Sequence, residues 1–142
     1  MTTIAWDGKS LAADKRVVIC GLQRTTTKIH KVGAALVGCS GSGYQAAEML
    51  AWARAGFKKN TFPESQRDDE LAVEMLVILP TGIQVYGDTP YAVEYEDKHF
   101  AIGSGRDFAL AAMFLGKSAQ DAVLLAAEFD PGTGSGVDTL TL

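Results

Sequence analysis

Apolar and polar residues alternate in steps of two over the first third of this chain, switch to helical spacing between Tyr44 and Lys59, and then repeat that exchange. Strand side chains point to opposite faces in turn, whereas helical ones return about every 3.6 residues, so the spacing separates the two kinds of element. Thr2 to Trp6 reads as a short strand, Asp7-Gly8 as a tight hairpin turn, and Ser10 to Ala13 as the returning strand. Arg16 to Cys20 is apolar and β-branched, Gly21 to Thr27 reads as a polar loop, and Lys28 to Val32 resumes alternation until Gly33 breaks it. Ala34 to Cys39 is a further apolar run, closed by Ser40-Gly41-Ser42-Gly43, whose small residues let the backbone turn sharply and approach a ligand. From Tyr44 to Lys59 the residues Ala46, Met49, Leu50, Ala53 and Phe57 fall on one face of an amphipathic helix.

Asn60 to Asp69 is polar, contains Pro63, and is expected to be the most mobile segment. Val73 to Leu79, the turn Pro80-Thr81-Gly82 and Ile83 to Tyr86 predict a buried hairpin; Tyr91 to Tyr95 and His99 to Ile102 predict two more strands. Two helices follow. Phe108, Ala111, Ala112 and Leu115 form the apolar stripe of the first, and Ala119, Ala122, Val123 and Ala126 that of the second, with Gly116 as the stop between them. Ser118 three residues before Asp121 has the spacing of a capping box, and so has Ser104 before Asp107. Val137 to Leu142 alternates as a last strand. Strands, a helix, strands, two helices and a strand predict a layered α+β architecture, and no linker or repeat divides residues 1–142 into more than one domain.

Composition narrows the function classes. At 142 residues, 47% hydrophobic and 21% charged, the chain can bury a core without a metal or a disulfide. A net charge of -4, with no basic stripe, argues against a partner held through its phosphates. No apolar run has the length of a membrane span and the N-terminus lacks the pattern of a signal peptide, so a cytoplasmic location is expected. Cys20 and Cys39 have no CxxC spacing and no nearby His, and are expected to be two small buried residues with no metal.

The chemistry sits at the start. Removal of Met1, which a small second residue favours, leaves Thr2 with an amine and a hydroxyl on one residue. An α-amine titrates near about 8, so it can take the proton of its own hydroxyl and serve as general base to that nucleophile. The opening Thr-Thr-Ile-Ala, the Asp-Gly turn and Ala-Ala-Asp-Lys-Arg at 12–16 resemble the start of proteasome β-subunits and of the HslV peptidase, threonine peptidases of the N-terminal nucleophile hydrolase superfamily. Lys28-Ile29-His30-Lys31-Val32 resembles the strand that carries their catalytic lysine, Ala101-Ile102-Gly103-Ser104-Gly105 their Ile-Gly-Ser-Gly, and Phe129-Asp130-Pro131-Gly132-Thr133-Gly134 the loop that completes their site.

The resemblance implies a four-layer αββα sandwich with no cofactor. It implies Thr2 as nucleophile, supported by Asp14, Lys28, Ser104, Asp130 and Thr133; Gly41 as the oxyanion donor; and Cys39 and Gly43 lining the specificity pocket. Lys28 is preferred to Lys31 for the catalytic lysine, and His30, two residues on, is expected to be structural. Lys15 departs from the small residue usual in the family, and the loops before Lys28 and after Lys59 are short. With only Met1 ahead of Thr2, an HslV-like chain is expected. Peptides or unfolded proteins are then the implied substrates, a homo-oligomeric ring the implied assembly, and an ATP-dependent unfoldase a candidate partner. The rival readings are an amidase or acylase acting on small amides, and an inactive assembly subunit of the same fold.

Overall fold

The computed structural model of the chain describes residues 1–68 and 70–142. β1 (Ile4–Trp6) and β2 (Ser10–Asp14) form a hairpin, and β10 (Phe100–Ile102) and β11 (Val137–Thr141) flank it, giving an antiparallel sheet in the order β10-β1-β2-β11. A second antiparallel sheet runs β5 (Ile29–Val32), β6 (Ala35–Ser40), β7 (Glu74–Leu79), β8 (Gly82–Tyr86), β9 (Val93–Tyr95) in chain order. β3 (Arg16–Ile19) and β4 (Leu22–Thr25) make a separate two-stranded ribbon. α1 (Gly43–Arg54) covers the five-stranded sheet, and α2 (Arg106–Phe114) and α3 (Ala119–Phe129) cover the four-stranded one.

Side-chain size, sorted by strand alternation, explains the layering. Ile4, Trp6, Leu11 and Ala13 point from the first sheet to the second, where they meet Ile29, Leu36, Leu76, Ile78 and Ile83. The intervening Ala5 and Ala12, opposite each other in register and next to Ala101, face α2 and α3. Methyl groups there let the helices approach closely, and a larger residue at Ala12 would overpack this layer at a cost of about 1–3 kcal/mol. β7 is apolar on both faces because Leu76 and Ile78 meet the first sheet while Met75 and Val77 meet α1. The result is the expected four-layer αββα sandwich.

Several expectations are corrected. The polar stretch Gly21–Thr27 holds a strand, β4, because its backbone pairs with β3 even though every side chain of β4 is exposed. α1 stops at Arg54 rather than Lys59. Gly56, at φ 105, closes a Schellman motif: Gly56 N–H donates to Ala53 O and Phe57 N–H to Trp52 O. Phe57 then turns back onto Trp52, whose ring also meets Phe62 and Tyr86, each at 5.1 Å between centroids.

The segment expected to be mobile carries two short 3₁₀ turns and two buried side chains, Phe62 and Gln66. Gln66 exchanges hydrogen bonds with the backbone of Val73 in both directions, at 2.8 and 2.9 Å, and donates to Gly87 O. Asp69 lies outside the described residues. In α2 the buried face is Ala109, Ala112 and Met113, so Phe108, Ala111 and Leu115 are exposed instead of packed. In α3 the buried set matches the expected stripe.

Asp7 ties the first hairpin to the helical layer. Its carboxylate accepts the N–H groups of Lys9 and Ser10 within the turn and that of Ala119 in the first turn of α3, at 2.8 Å. Burial alone would raise its pKa, but these three backbone donors outweigh burial and hold it below the usual value. Ser118 caps the same helix by accepting Asp121 N–H at 3.1 Å.

Candidate active site

Thr2 precedes β1 at one end of the sandwich and is buried, so each of its polar atoms needs a partner. Its hydroxyl donates to Met1 O at 2.6 Å and lies 3.1 Å from Lys28 Nζ. Its nitrogen, an amide because Met1 is attached, occupies the position that a free amine would take. It donates to Ser104 Oγ at 3.1 Å.

Asp14, the last residue of β2, is wholly buried behind Lys28. One of its oxygens accepts Lys28 Nζ at 2.9 Å and Thr3 N–H at 3.0 Å; the other accepts the N–H groups of Gly134 and Arg16. Four donors thus converge on this carboxylate, which fixes the Lys28 amine group in place. The Lys28 side chain is only 7% exposed, and this burial lowers its pKa although the Asp14 hydrogen bond and charge pull it up. Lys31, by contrast, is exposed on β5.

On the other side of Thr2, Ser104 Oγ donates to Asp130 Oδ2 at 2.5 Å, and the same carboxylate oxygen accepts Thr133 Oγ1 at 2.6 Å. Burial would raise the Asp130 carboxyl, but Ser104, Thr133 and the Gly132 N–H together outweigh it and keep the pKa low. Ser104 does not cap α2: Gly105 is the N-cap, and the Ser104 hydroxyl is committed to Thr2 and Asp130. Gly103, at φ 98, passes so close to Thr2 that an added Cβ would collide with the Thr2 carbonyl, so only glycine fits there. The five supporting residues expected from the sequence are therefore brought together around the Thr2 hydroxyl and nitrogen.

Sequence reasoning missed Thr3. Buried beside Ile4, its hydroxyl pairs with that of Thr133 at 2.6 Å, so it extends the hydroxyl chain that ends at Ser104. The available signal was a second polar residue directly ahead of a fully buried strand, which has to find a partner. It also missed that the β3–β4 ribbon forms a wall of the site.

A cleft of about 900 Å³ opens at Thr2. Gly41, Cys39 and Gly43 line it, as do Val17, Val18 and Ile19 of the ribbon. His30, expected to be structural, lines the cleft as well, and is half-buried. Burial, helped by the charge of Arg54, lowers its pKa. Cys39 is largely covered, and burial pushes its thiol up to about 12. Cys20, expected to be buried, is exposed at the tip of the ribbon.

No model of a known protein family matches this chain, and no curated protein sequence does. Solved structures do match. Thiobacillus denitrificans BPH in complex with Epoxomicin superposes with a TM-score of 0.74 at 23% identity, covering 99% of this chain and 97% of that one. Thiobacillus denitrificans BPH gives 0.73 at 24% identity, covering 99% and 96%. Eukaryotic HslV from Trypanosoma brucei gives 0.71 at 18% identity, covering 98% and 97%. From end to end, this chain has the fold of BPH and HslV.

Proposed function

We propose that the protein is a threonine-type endopeptidase whose nucleophile is the hydroxyl of Thr2, freed as the N-terminal residue by loss of Met1. The observation that carries this reading is the position of Lys28 Nζ, 3.1 Å from the Thr2 hydroxyl with a buried carboxylate 2.9 Å behind it. An ammonium there favours the developing alkoxide electrostatically.

The amine takes the hydroxyl proton as Oγ1 attacks a peptide carbonyl. Gly41 N–H donates to the resulting oxyanion, a contribution worth on the order of 3 kcal/mol in comparable sites. The C–N bond then breaks, the amine passes its proton to the leaving nitrogen, and water cleaves the ester left on Thr2. Ser104, held by Asp130 and Thr133, orients the amine. Cys39 and Gly43 line the pocket for a substrate side chain.

The substrates are peptides or unfolded proteins. The protomers form a closed ring with Thr2 facing an internal chamber in the cytoplasm, and an ATP-dependent unfoldase is a candidate feeder. Exposed apolar residues on α2 and α3, with Phe114 85% and Leu115 79% exposed, support an assembly surface.

Thr2→Ala tests the mechanism. It is expected to abolish hydrolysis of peptide amides and leave the fold intact, whereas hydrolysis that persists in this variant overturns it. The intact mass of protein purified from cells distinguishes the rivals, since quantitative retention of Met1 leaves an amide where the base is needed and favours the inactive subunit.

A further inference from the structure

In a chain of net charge -4, the cleft at Thr2 is lined by Arg16, Arg24, Lys28 and His30 and, among the described residues, by no Asp or Glu. Two of these groups are already engaged. Lys28 pairs with Asp14, and the Arg16 guanidinium donates to Pro131 O and Ser135 Oγ. The other two have no carboxylate within ion-pair distance among the described residues, although the Thr27 backbone neighbours the His30 ring and the Asp138 charge acts on it from further off.

Arg24 lies on β4 opposite Val17, so its side chain shares a ribbon face with Val17 and Ile19. His30 lies two residues beyond Lys28 on β5, paired with Val37 of β6, and lines the same cleft. Its lowered pKa makes it a neutral N–H donor near pH 7, so Arg24 supplies the charge. Much of the remaining lining is apolar, including Val18, Ile19, Ala46 and Leu50, with Thr25, Thr26, Thr27 and Tyr44 adding hydroxyls, and Arg24 itself is exposed and free to meet a ligand.

We propose that this cleft selects peptide chains with a carboxylate side chain close to the amide to be cut, received by Arg24 and His30. The proposal rests on the reading of Thr2 as nucleophile. An acidic residue gains a cation and an N–H donor, an amide isostere gains only hydrogen bonds, and a lysine meets like charge.

The test uses the full chain with Thr2 at its N-terminus and a matched set of peptide amides. These carry Glu, Gln, Leu or Lys at one of the two positions on the acyl side of the scissile bond. At one of the positions, kcat/KM for Glu is expected to exceed that for Gln by about tenfold, with Lys below Gln. Arg24→Gln combined with His30→Gln should bring the Glu-to-Gln ratio within about twofold, and Arg24→Lys should keep most of it. Equal rates for Glu and Gln at both positions, or a ratio that survives the double variant, overturns the proposal.

A binding measurement separates this outcome from failure of the nucleophile reading. Fluorescence anisotropy with the Thr2→Ala protein compares a labelled Glu peptide with its Gln counterpart. The Glu peptide is expected to bind about fivefold more tightly at low salt, with the advantage shrinking as salt is added. Selective binding without any hydrolysis by the parent protein would discard the nucleophile and keep the cleft's selection of a carboxylate. Hydrolysis with no charge preference in rate or binding would discard the cleft alone.

Discussion

Lys28 Nζ stands between the Thr2 hydroxyl at 3.1 Å and the Asp14 carboxylate at 2.9 Å, and none of the three is more than slightly exposed. An ammonium held this way acts on the hydroxyl through a medium with little water to screen it. Lys28→Ala is therefore expected to lower kcat/KM by about 100-fold, or roughly 3 kcal/mol. Lys31→Ala, on the exposed side of the same strand, should be nearly silent. Steady-state kinetics on both variants decide the matter, and the reverse ranking would refute the assignment.

Ser104 and Asp130 act as one unit, because the hydroxyl that receives Thr2 N–H is itself oriented by the carboxylate. Ser104→Ala and Asp130→Asn should each reduce turnover, and the double variant should lose little beyond the worse single one. Coupling of about 1–3 kcal/mol in a double-mutant cycle is expected for residues in such direct contact. Additive losses would mean that the two side chains act separately.

How much of this was legible from sequence depends on how far each signal reaches. The Asp7-Gly8 turn and the Ser118–Asp121 cap are local chemistry and were readable as written. The same three-residue spacing at Ser104–Asp107 misled, since the Ser104 hydroxyl is claimed by Thr2 and Asp130, which are remote in sequence. Gln66 looked like loop composition because its partners are backbone groups of Val73 and Gly87, and polarity alone cannot reveal that. In α3 the alanines are buried wherever the helical spacing put them, whereas α2 rotates its Ala109 and Met113 inward and leaves larger residues outside. Periodicity fixes a stripe only when a helix has one apolar face, and α2 is apolar nearly all round.

The pKa of Asp7 is lowered in the fold, so its carboxylate contributes stability that is fully present above the unfolded value near 3.8 and is lost as pH falls through the folded value. Asp7→Ala removes an acceptor shared by the turn and by α3. Because the group is partly solvated, a loss of about 1 kcal/mol at neutral pH is expected. Urea unfolding followed from pH 7 downward should show the gap between the two proteins constant to about pH 4 and narrowing below it. A gap that widens in acid would show that Asp7 is protonated in the native state.

The two cysteines provide a check on the ribbon and the cleft floor. Cys20 is exposed at the turn between β3 and β4, whereas the Cys39 thiol is pushed up to about 12 and is almost never a thiolate near neutral pH. One equivalent of a thiol reagent should be consumed by the native protein at pH 8, and two after denaturation. Cys20→Ser should abolish the native reaction. Equal rates for both thiols would mean that Cys39 is not covered.

Assembly is the property the outer helices bear on most directly. Phe114, Leu115, Leu124 and Leu125 project from α2 and α3, and Phe108 stacks on Phe129 at 5.4 Å without being covered. Leaving such side chains in water forfeits about 1.5–3 kcal/mol for each that could be buried, which an interface between copies would recover. The mass in solution should therefore be a multiple of the 15.1 kDa protomer at micromolar concentration. Phe114→Asp should shift it toward the protomer without unfolding it, because that ring makes little contact with the core. Light scattering with circular dichroism on the same sample reads both effects. A parent protein that runs at the protomer mass while cleaving peptides would exclude the chamber and leave a monomeric amide hydrolase.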